Sequence, residues 1–311
     1  MPEIPLMLGS LGINNKVDPT DLQFDPKTGL VELAYAVNID IERPFRVVSR
    51  RGYTKRISLA NGAHSFFYAG GQFGVFASGS SLYIVTDGYG YTSVATVTSG
   101  LKVWYCKAGD DIFYANGKEN GVIKGSTRTR VPWTRETGYD SPPDYPTSSR
   151  SFSDFPVGTL LASVGSRIFC AVGDTVFYSE PYWYGYCDLE SNYFSLNGGI
   201  TLLEAVTDGL YIVDSETAYW VKDIGDGRFD PVALPPGFGP AIPGTAARCD
   251  GKLVNDNYYG NGVIWVSSEQ ICWGGPGGFY MDLSSDRLRL PAASSGAGMM
   301  YDKKYVFVLN Q

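Results

Sequence analysis

Among 311 residues there is one histidine, His64. A Ser–His–Asp triad could draw only on that residue, and no G-x-S-x-G elbow accompanies it; His64, in "NGAHSFF", reads as a structural residue entering a strand. Metal-ligand spacing is lacking too. The five cysteines (Cys106, Cys170, Cys187, Cys249, Cys272) form no C-x-x-C pair, so a Cys/His zinc site is not expected. Each lies in an apolar strand-like context, and buried free thiols are expected, as suits folding in a reducing compartment. Positive charge is scarce: the net charge is −7 and the pI about 4.8. The longest basic run, "RRGYTKR" at 50–56, reads as a solvated strand face, and no stripe suited to nucleic acid exists. No run approaches the roughly 20 apolar residues of a membrane span. The opening "MPEIPLMLGSLGINNK" lacks a basic region and is broken by Pro and Gly, so no signal peptide is expected and the chain reads as soluble and made in a cytoplasm. Helical periodicity fails within two turns wherever it starts.

Glycine (38), tyrosine (22) and phenylalanine (16) are plentiful, a mixture suited to short strands joined by tight turns. The stretch "SRIFCAVGDTVFYSEP" at 166–181 shows the unit: two apolar runs separated by Gly-Asp, a hairpin signal. Blocks of four such strands begin near Ser65, Leu101, Val157, Ile200 and Gly244, recurring about every 40–50 residues as propeller blades do. The last fifteen residues, "AGMMYDKKYVFVLNQ", supply two more strands. So do "ELAYAVNIDI" and "FRVVSRRGYTKR" near the start. Joined, these four would make a sixth blade shared by the two ends of the chain, leaving no open sheet edge. The expectation is an all-β chain, a β-propeller of six four-stranded blades, with five or seven as alternatives.

Two segments break the rhythm. Residues 1–30, rich in Pro, Gly, Asn and Asp, read as an extended N-terminal arm ahead of a propeller domain over 31–311. Residues 137–156, "TGYDSPPDYPTSSRSFSDFP", carry four prolines and read as a long inserted loop, a kind of loop that is usually functional or disordered. The arm has too little apolar content to form its own core and is expected to order against a partner.

Candidate chemistry is thin. Carboxylates available for glycoside hydrolysis are Asp188, Glu190, Asp214, Glu216, Asp226 and Asp230, but none sits in a sialidase-type S-x-D-x-G-x-x-W turn. "DIGDGRFD" at 223–230 has acidic residues at loop-like spacing without the closing Glu of an EF-hand. "GGPGG" at 274–278 is followed by no G-K-[ST] and reads as a turn. The aromatic cluster "EPYWYGY" at 180–186 suits a subunit contact better than a sugar platform. The candidate contact residues are Leu11, Ile13, Tyr139, Tyr145, Phe152, Tyr182 and Trp183. No catalytic residue, metal or cofactor is expected. The alternative is a carbohydrate-binding or glycoside-processing propeller, which fold alone does not exclude.

Three stretches together resemble a known family. They are "LGINNKVDPTDL…GLVELAYAVNIDIERPFRVVSRRGYTKR", "RIFCAVGDTVFYSEPYWYGYCDLESNYFSL…ITLLEAVTDGLYIVDSETAYWV" and "PGTAARCDGK…GVIWVSSEQICWGGPGGFYMDLSSDRLRLP". Their phrasing is similar to the tail-hub or nozzle proteins of short-tailed bacteriophages. That resemblance implies a non-catalytic virion protein, made in the host cytoplasm. It also implies a homo-oligomeric ring, six-fold by analogy, next to portal, adaptor and other tail proteins, with DNA passing through without specific binding. An acidic subunit suits such a passage, since DNA would adhere to basic walls.

Overall fold

Five runs in the sequence are apolar without alternation: "FGVFAS", "DIFYA", "RIFCAV", "GLYIV" and "NGVIWV". A strand reads this way when both of its faces are covered. In the computed structural model, each is the second strand of a four-stranded antiparallel sheet. Phe73–Ser78 and Gly209–Val213 are buried along their whole length. The structure describes residues 9–42, 45–50, 52, 54–59, 62–68, 70, 73–144, 150–223, 227–284 and 287–311.

The five sheets follow chain order as blades one to five, starting at His64–Tyr68, Trp104–Ala108, Leu161–Val164, Leu202–Val206 and Ala247–Asp250. Their strands succeed one another as hairpins, and in blade three Gly173 takes the positive φ of 67° that closes the Val172–Thr175 turn. First strands of successive blades adjoin, as Trp104–Ala108 does with Leu161–Val164, and fourth strands such as Phe229–Ala233 face solvent. This is a β-propeller. Its core is a series of face-to-face layers: Val75 and Leu82 of blade one pack with Ile112 and Tyr114 of blade two, Phe113 with Leu161 and Ile168, Phe169 with Leu203 and Ile212, and Tyr211 with Val263 and Trp265. Each fully buried side chain of this size contributes about 1.5–3 kcal/mol, so every blade depends on its neighbours.

A sixth position follows blade five. Ser295–Tyr301 and Lys304–Asn310 form a C-terminal hairpin whose Met300 and Tyr305 pack against Ile264 and Trp273. The Gly296 and Gly298 amides donate to the Pro243 and Gly244 carbonyls, seating the hairpin on the approach to blade five. Ile39–Glu42 and Arg46–Ser49 form a second, N-terminal hairpin. It meets the C-terminal one through the Lys304–Asp40 ion pair (2.8 Å). The two do not share a ladder among the described residues: each is a separate two-stranded sheet, and a cleft of about 720 Å³ lies between them, lined by Arg46, Val48, Val306 and Phe307. The expected sixth four-stranded sheet is therefore present as two adjoining halves.

The segment expected to lie as an extended arm is folded from Gly9 onward. Gly9–Ile13 runs parallel to Leu30–Leu33, which also pairs antiparallel with Phe24–Asp25. The expected boundary at residue 30 thus falls inside a strand. Polar pairing holds this small sheet: buried Glu32 accepts from Asn14 Nδ2 and the Gln23 amide, and faces Arg287 Nε at 3.8 Å. Arg287 Nη1 also donates to the Leu11 carbonyl, fastening the start of the chain to the segment after blade five. Residues 1–8 lie outside the described residues.

Candidate functional site

The two segments singled out for contact, 137–156 and 180–186, come together beside blade three. Ser153–Asp154 pairs with Tyr186–Cys187 in a short ladder that draws the long loop onto the aromatic cluster. The Tyr186 hydroxyl accepts from the Glu136 amide and donates to the Tyr139 carbonyl, and Trp183 Nε1 donates to Asp144 at 3.2 Å. Tyr139 and Tyr182 project into solvent, Tyr182 with 76% of its surface exposed. Trp183 is half-buried, edge-on to Tyr186 at 6.1 Å between ring centres.

Phe152 is not an outward anchor. It is buried, edge-on to Tyr186, with the Arg150 guanidinium 4.9 Å from its ring centre. A phenylalanine in a Ser/Pro-rich loop looks exposed in sequence, but the short ladder folds it inward. Tyr145 lies outside the described residues. Leu11 and Ile13 are half-buried in the N-terminal sheet and belong to a different part of the molecule.

Beneath the aromatic surface lies a charged cluster. Arg150 Nε donates to Asp188 Oδ2 at 2.9 Å, and its Nη2 donates to Glu180 Oε1 at 2.5 Å and to Asn192 Oδ1 at 2.9 Å. Asn192 Nδ2 donates in turn to Glu180, and Ser191 Oγ to Asp188. Glu180 and Asp188 are both buried. Burial alone would raise the Asp188 pKa, but hydrogen bonds from Ser191, Arg150 and the Glu190 amide outweigh it and hold the carboxyl below its ordinary value. Chemically this is a clamp that fastens the 137–156 loop to blade three. Arg150 has no local signal in the sequence, since its partners lie 30 to 42 positions away.

The other carboxylates serve local structure or stand apart. Buried Asp214 accepts from the amides of Glu216 and Thr217 and from the Tyr219 hydroxyl, closing a hairpin turn. Glu190 and Glu216 are exposed, as is Asp230, paired across a strand with Lys222. Asp226 lies outside the described residues, with 224 and 225. His64 Nδ1 sits 2.9 Å from the hydroxyl of its neighbour Ser65. The 274–278 glycines form a turn in which the Gly277 amide donates to Asp208. Among the described residues no group of three or more His, Cys, Asp or Glu is placed to hold a metal, and no helix is long and apolar enough to cross a membrane.

No protein-family model matches the sequence, and no curated protein matches it. Solved structures do. The BBS1N chain crystallised with ARL6DN aligns over 87% of this chain and 83% of its own, at 10% identity and a TM-score of 0.54. Sqt1 of Saccharomyces cerevisiae aligns over 74% and 63% at 10% identity and TM-score 0.42. PorZ of Porphyromonas gingivalis aligns over 73% of this chain at 11% identity and TM-score 0.44, and this chain spans only 27% of PorZ. At 10% identity the likeness to the BBS1N chain shows the fold, a β-propeller, and nothing of activity or partners.

Proposed function

We propose that this chain is a structural, non-catalytic subunit of a multi-copy ring in the tail of a short-tailed bacteriophage. The observation that carries the subunit reading is the exposed aromatic edge beside blade three, where Tyr139 and Tyr182 stand in solvent above the buried Arg150 clamp. The phage placement rests on the sequence phrases at both ends and in the middle of the chain. Six-fold symmetry, contact with portal or adaptor, and passage of DNA come from the same resemblance. The contact surface for neighbouring tail proteins is the exposed edge carrying Tyr139, Tyr182 and Trp183, held rigid by the Arg150 clamp.

The test uses antibodies against the purified protein on virions of the encoding phage, with Tyr139→Ala/Tyr182→Ala in parallel. Label at the tail is expected, with the double variant folding normally but supporting fewer attached tails. Protein found only outside virions would reject the phage reading. Normal tail attachment with the double variant would reject this contact surface.

A further inference from the structure

All five blades end in an edge strand that is cut short, interrupted or bent. Arg130–Val131 has two residues, Tyr193–Ser195 and Tyr280–Asp282 have three each, Phe229–Ala233 carries Pro231, and the register of Tyr91–Thr96 shifts against its neighbour. These are devices by which a sheet avoids pairing with another chain. The C-terminal hairpin has none of them. Its second strand, Lys304–Asn310, is "KYVFVLN", seven residues in unbroken register without a proline.

That strand uses one edge only. Asp302 and Lys303 form the hairpin turn, both at positive φ (47° and 62°), so Tyr301 and Lys304 exchange ladder bonds and every second residue from there does the same. The amides and carbonyls of Tyr305 and Phe307 therefore point away from Ser295–Tyr301, and among the described residues they bond to nothing. The hairpin's other edge is closed by the Gly296 and Gly298 amides on the Pro243 and Gly244 carbonyls. Along the open edge runs the cleft of about 720 Å³. Lys304, Tyr305, Val306 and Phe307 all line it, although successive side chains of a strand point to opposite faces, so the strand meets the cleft with its edge. The opposite wall is the face of the N-terminal hairpin that carries Asp40, Arg46 and Val48. An extended chain fills roughly 160 Å³ per residue, from a rise of about 3.3 Å, a strand spacing of about 4.8 Å and a layer spacing of about 10 Å. The cleft thus has room for about four residues of a further strand.

We propose that an acidic, extended segment of a partner protein adds to this edge as a third strand, completing the sheet that the two hairpins leave as halves. Main-chain bonds to Tyr305 and Phe307 supply the attachment, and charge selects the segment. Arg46, Arg50 and Lys304 line the cleft against Asp40 and Asp302, a local excess of positive charge in a chain of net charge −7. Carboxylates on the incoming strand are therefore favoured. The site is distinct from the Tyr139–Tyr182 edge and does not depend on the phage placement.

The experiment titrates the purified full chain with an end-blocked heptapeptide of alternating Glu and Val, and in parallel with its Lys/Val counterpart, by calorimetry and residue-resolved hydrogen exchange. The Glu/Val peptide is expected to bind saturably and about tenfold more tightly than the Lys/Val one. Exchange of the Tyr305 and Phe307 amides, fast in the chain alone, is expected to slow on binding, while the Val306 and Val308 amides, bonded within the hairpin, stay protected throughout. Phe307→Pro removes an outward amide without touching the hairpin ladder and is expected to weaken binding about tenfold. Arg46→Glu, which leaves the open strand intact, is expected to erase the preference between the two peptides. The proposal is overturned if the Glu/Val peptide does not bind, if the Lys/Val peptide binds as well, or if the slowing falls on another blade's edge. It is equally overturned if the Tyr305 and Phe307 amides are protected before any peptide is added, for then the chain covers this edge itself.

Discussion

Arg150 is where one side chain decides most. It is the cation shared by two buried carboxylates, Glu180 and Asp188, and its own side chain is one-third exposed. Replacing it with methionine keeps the contact with Phe152 but leaves both acids without that partner. A fully buried pair broken in this way costs about 3–5 kcal/mol, and partial exposure of the guanidinium scales this to about 2 kcal/mol. Arg150→Met is therefore expected to lower the urea midpoint at neutral pH. The pH dependence has a definite sign. The Asp188 pKa is lowered in the folded chain, so its stabilisation is complete above the unfolded carboxyl value of about 3.9. It disappears as pH falls through the lower folded value. The gap between wild type and variant should thus narrow on acidification below about pH 4. A constant gap from neutral to acid pH would show that the clamp is not electrostatic. The loop's anchoring was hidden in the sequence because nothing near residue 150 indicates partners at 180, 188 and 192. For the same reason Phe152 read as a surface anchor when it is part of the buried side of that clamp.

At the scale of elements, the blades were legible because a strand covered on both faces carries an unbroken apolar run, and because turns such as Gly173–Asp174 mark where one run ends. Those two signals place all five four-stranded sheets. They place the terminal hairpins as well, but not how the hairpins meet, since edge pairing between distant strands leaves no local trace. The N-terminal sheet escaped for a different reason. Its strands are held by parallel pairing and by the Glu32–Asn14–Arg287 contacts, so low apolar content was a poor guide to order. The seating of the C-terminal hairpin is a separate, testable matter of space. A Cβ on Gly298 would stand 2.0 Å from the Thr245 carbonyl oxygen, a rigid backbone atom that cannot yield as a flexible side chain would. Gly298→Val is expected to lift the hairpin from blade five, breaking the Gly298–Gly244 bond and uncovering Trp273. Hydrogen exchange should then accelerate across 295–310 and across Ile271–Gly274 while blades two and three stay protected. Unchanged exchange in the hairpin would show that its seat tolerates the side chain.

For the molecule as a whole, the five thiols report whether the layered core closes everywhere at once. They are distributed through it: Cys106 in blade two, Cys170 in blade three, Cys187 in the short ladder beside it, Cys249 and Cys272 in blade five, and all are free and buried. Burial pushes their pKa values up, to about 12 for Cys170, Cys187 and Cys272 and about 11 for Cys249, with Cys106 higher still. The thiolate is the reactive form, so at neutral pH both access and ionisation oppose modification. A thiol reagent such as dithionitrobenzoate is expected to find no reactive group in the native chain and five after denaturation. Reaction in dilute denaturant then becomes a map of opening. If blades depend on one another through their shared faces, thiols at positions 106 and 272 should become reactive together, at the global transition. If the array instead frays from its C-terminal end, Cys249 and Cys272 should react before Cys106 and Cys170. An early reaction of Cys249 and Cys272 alone would mean that the layers open one at a time and would overturn closure of the core as a single unit.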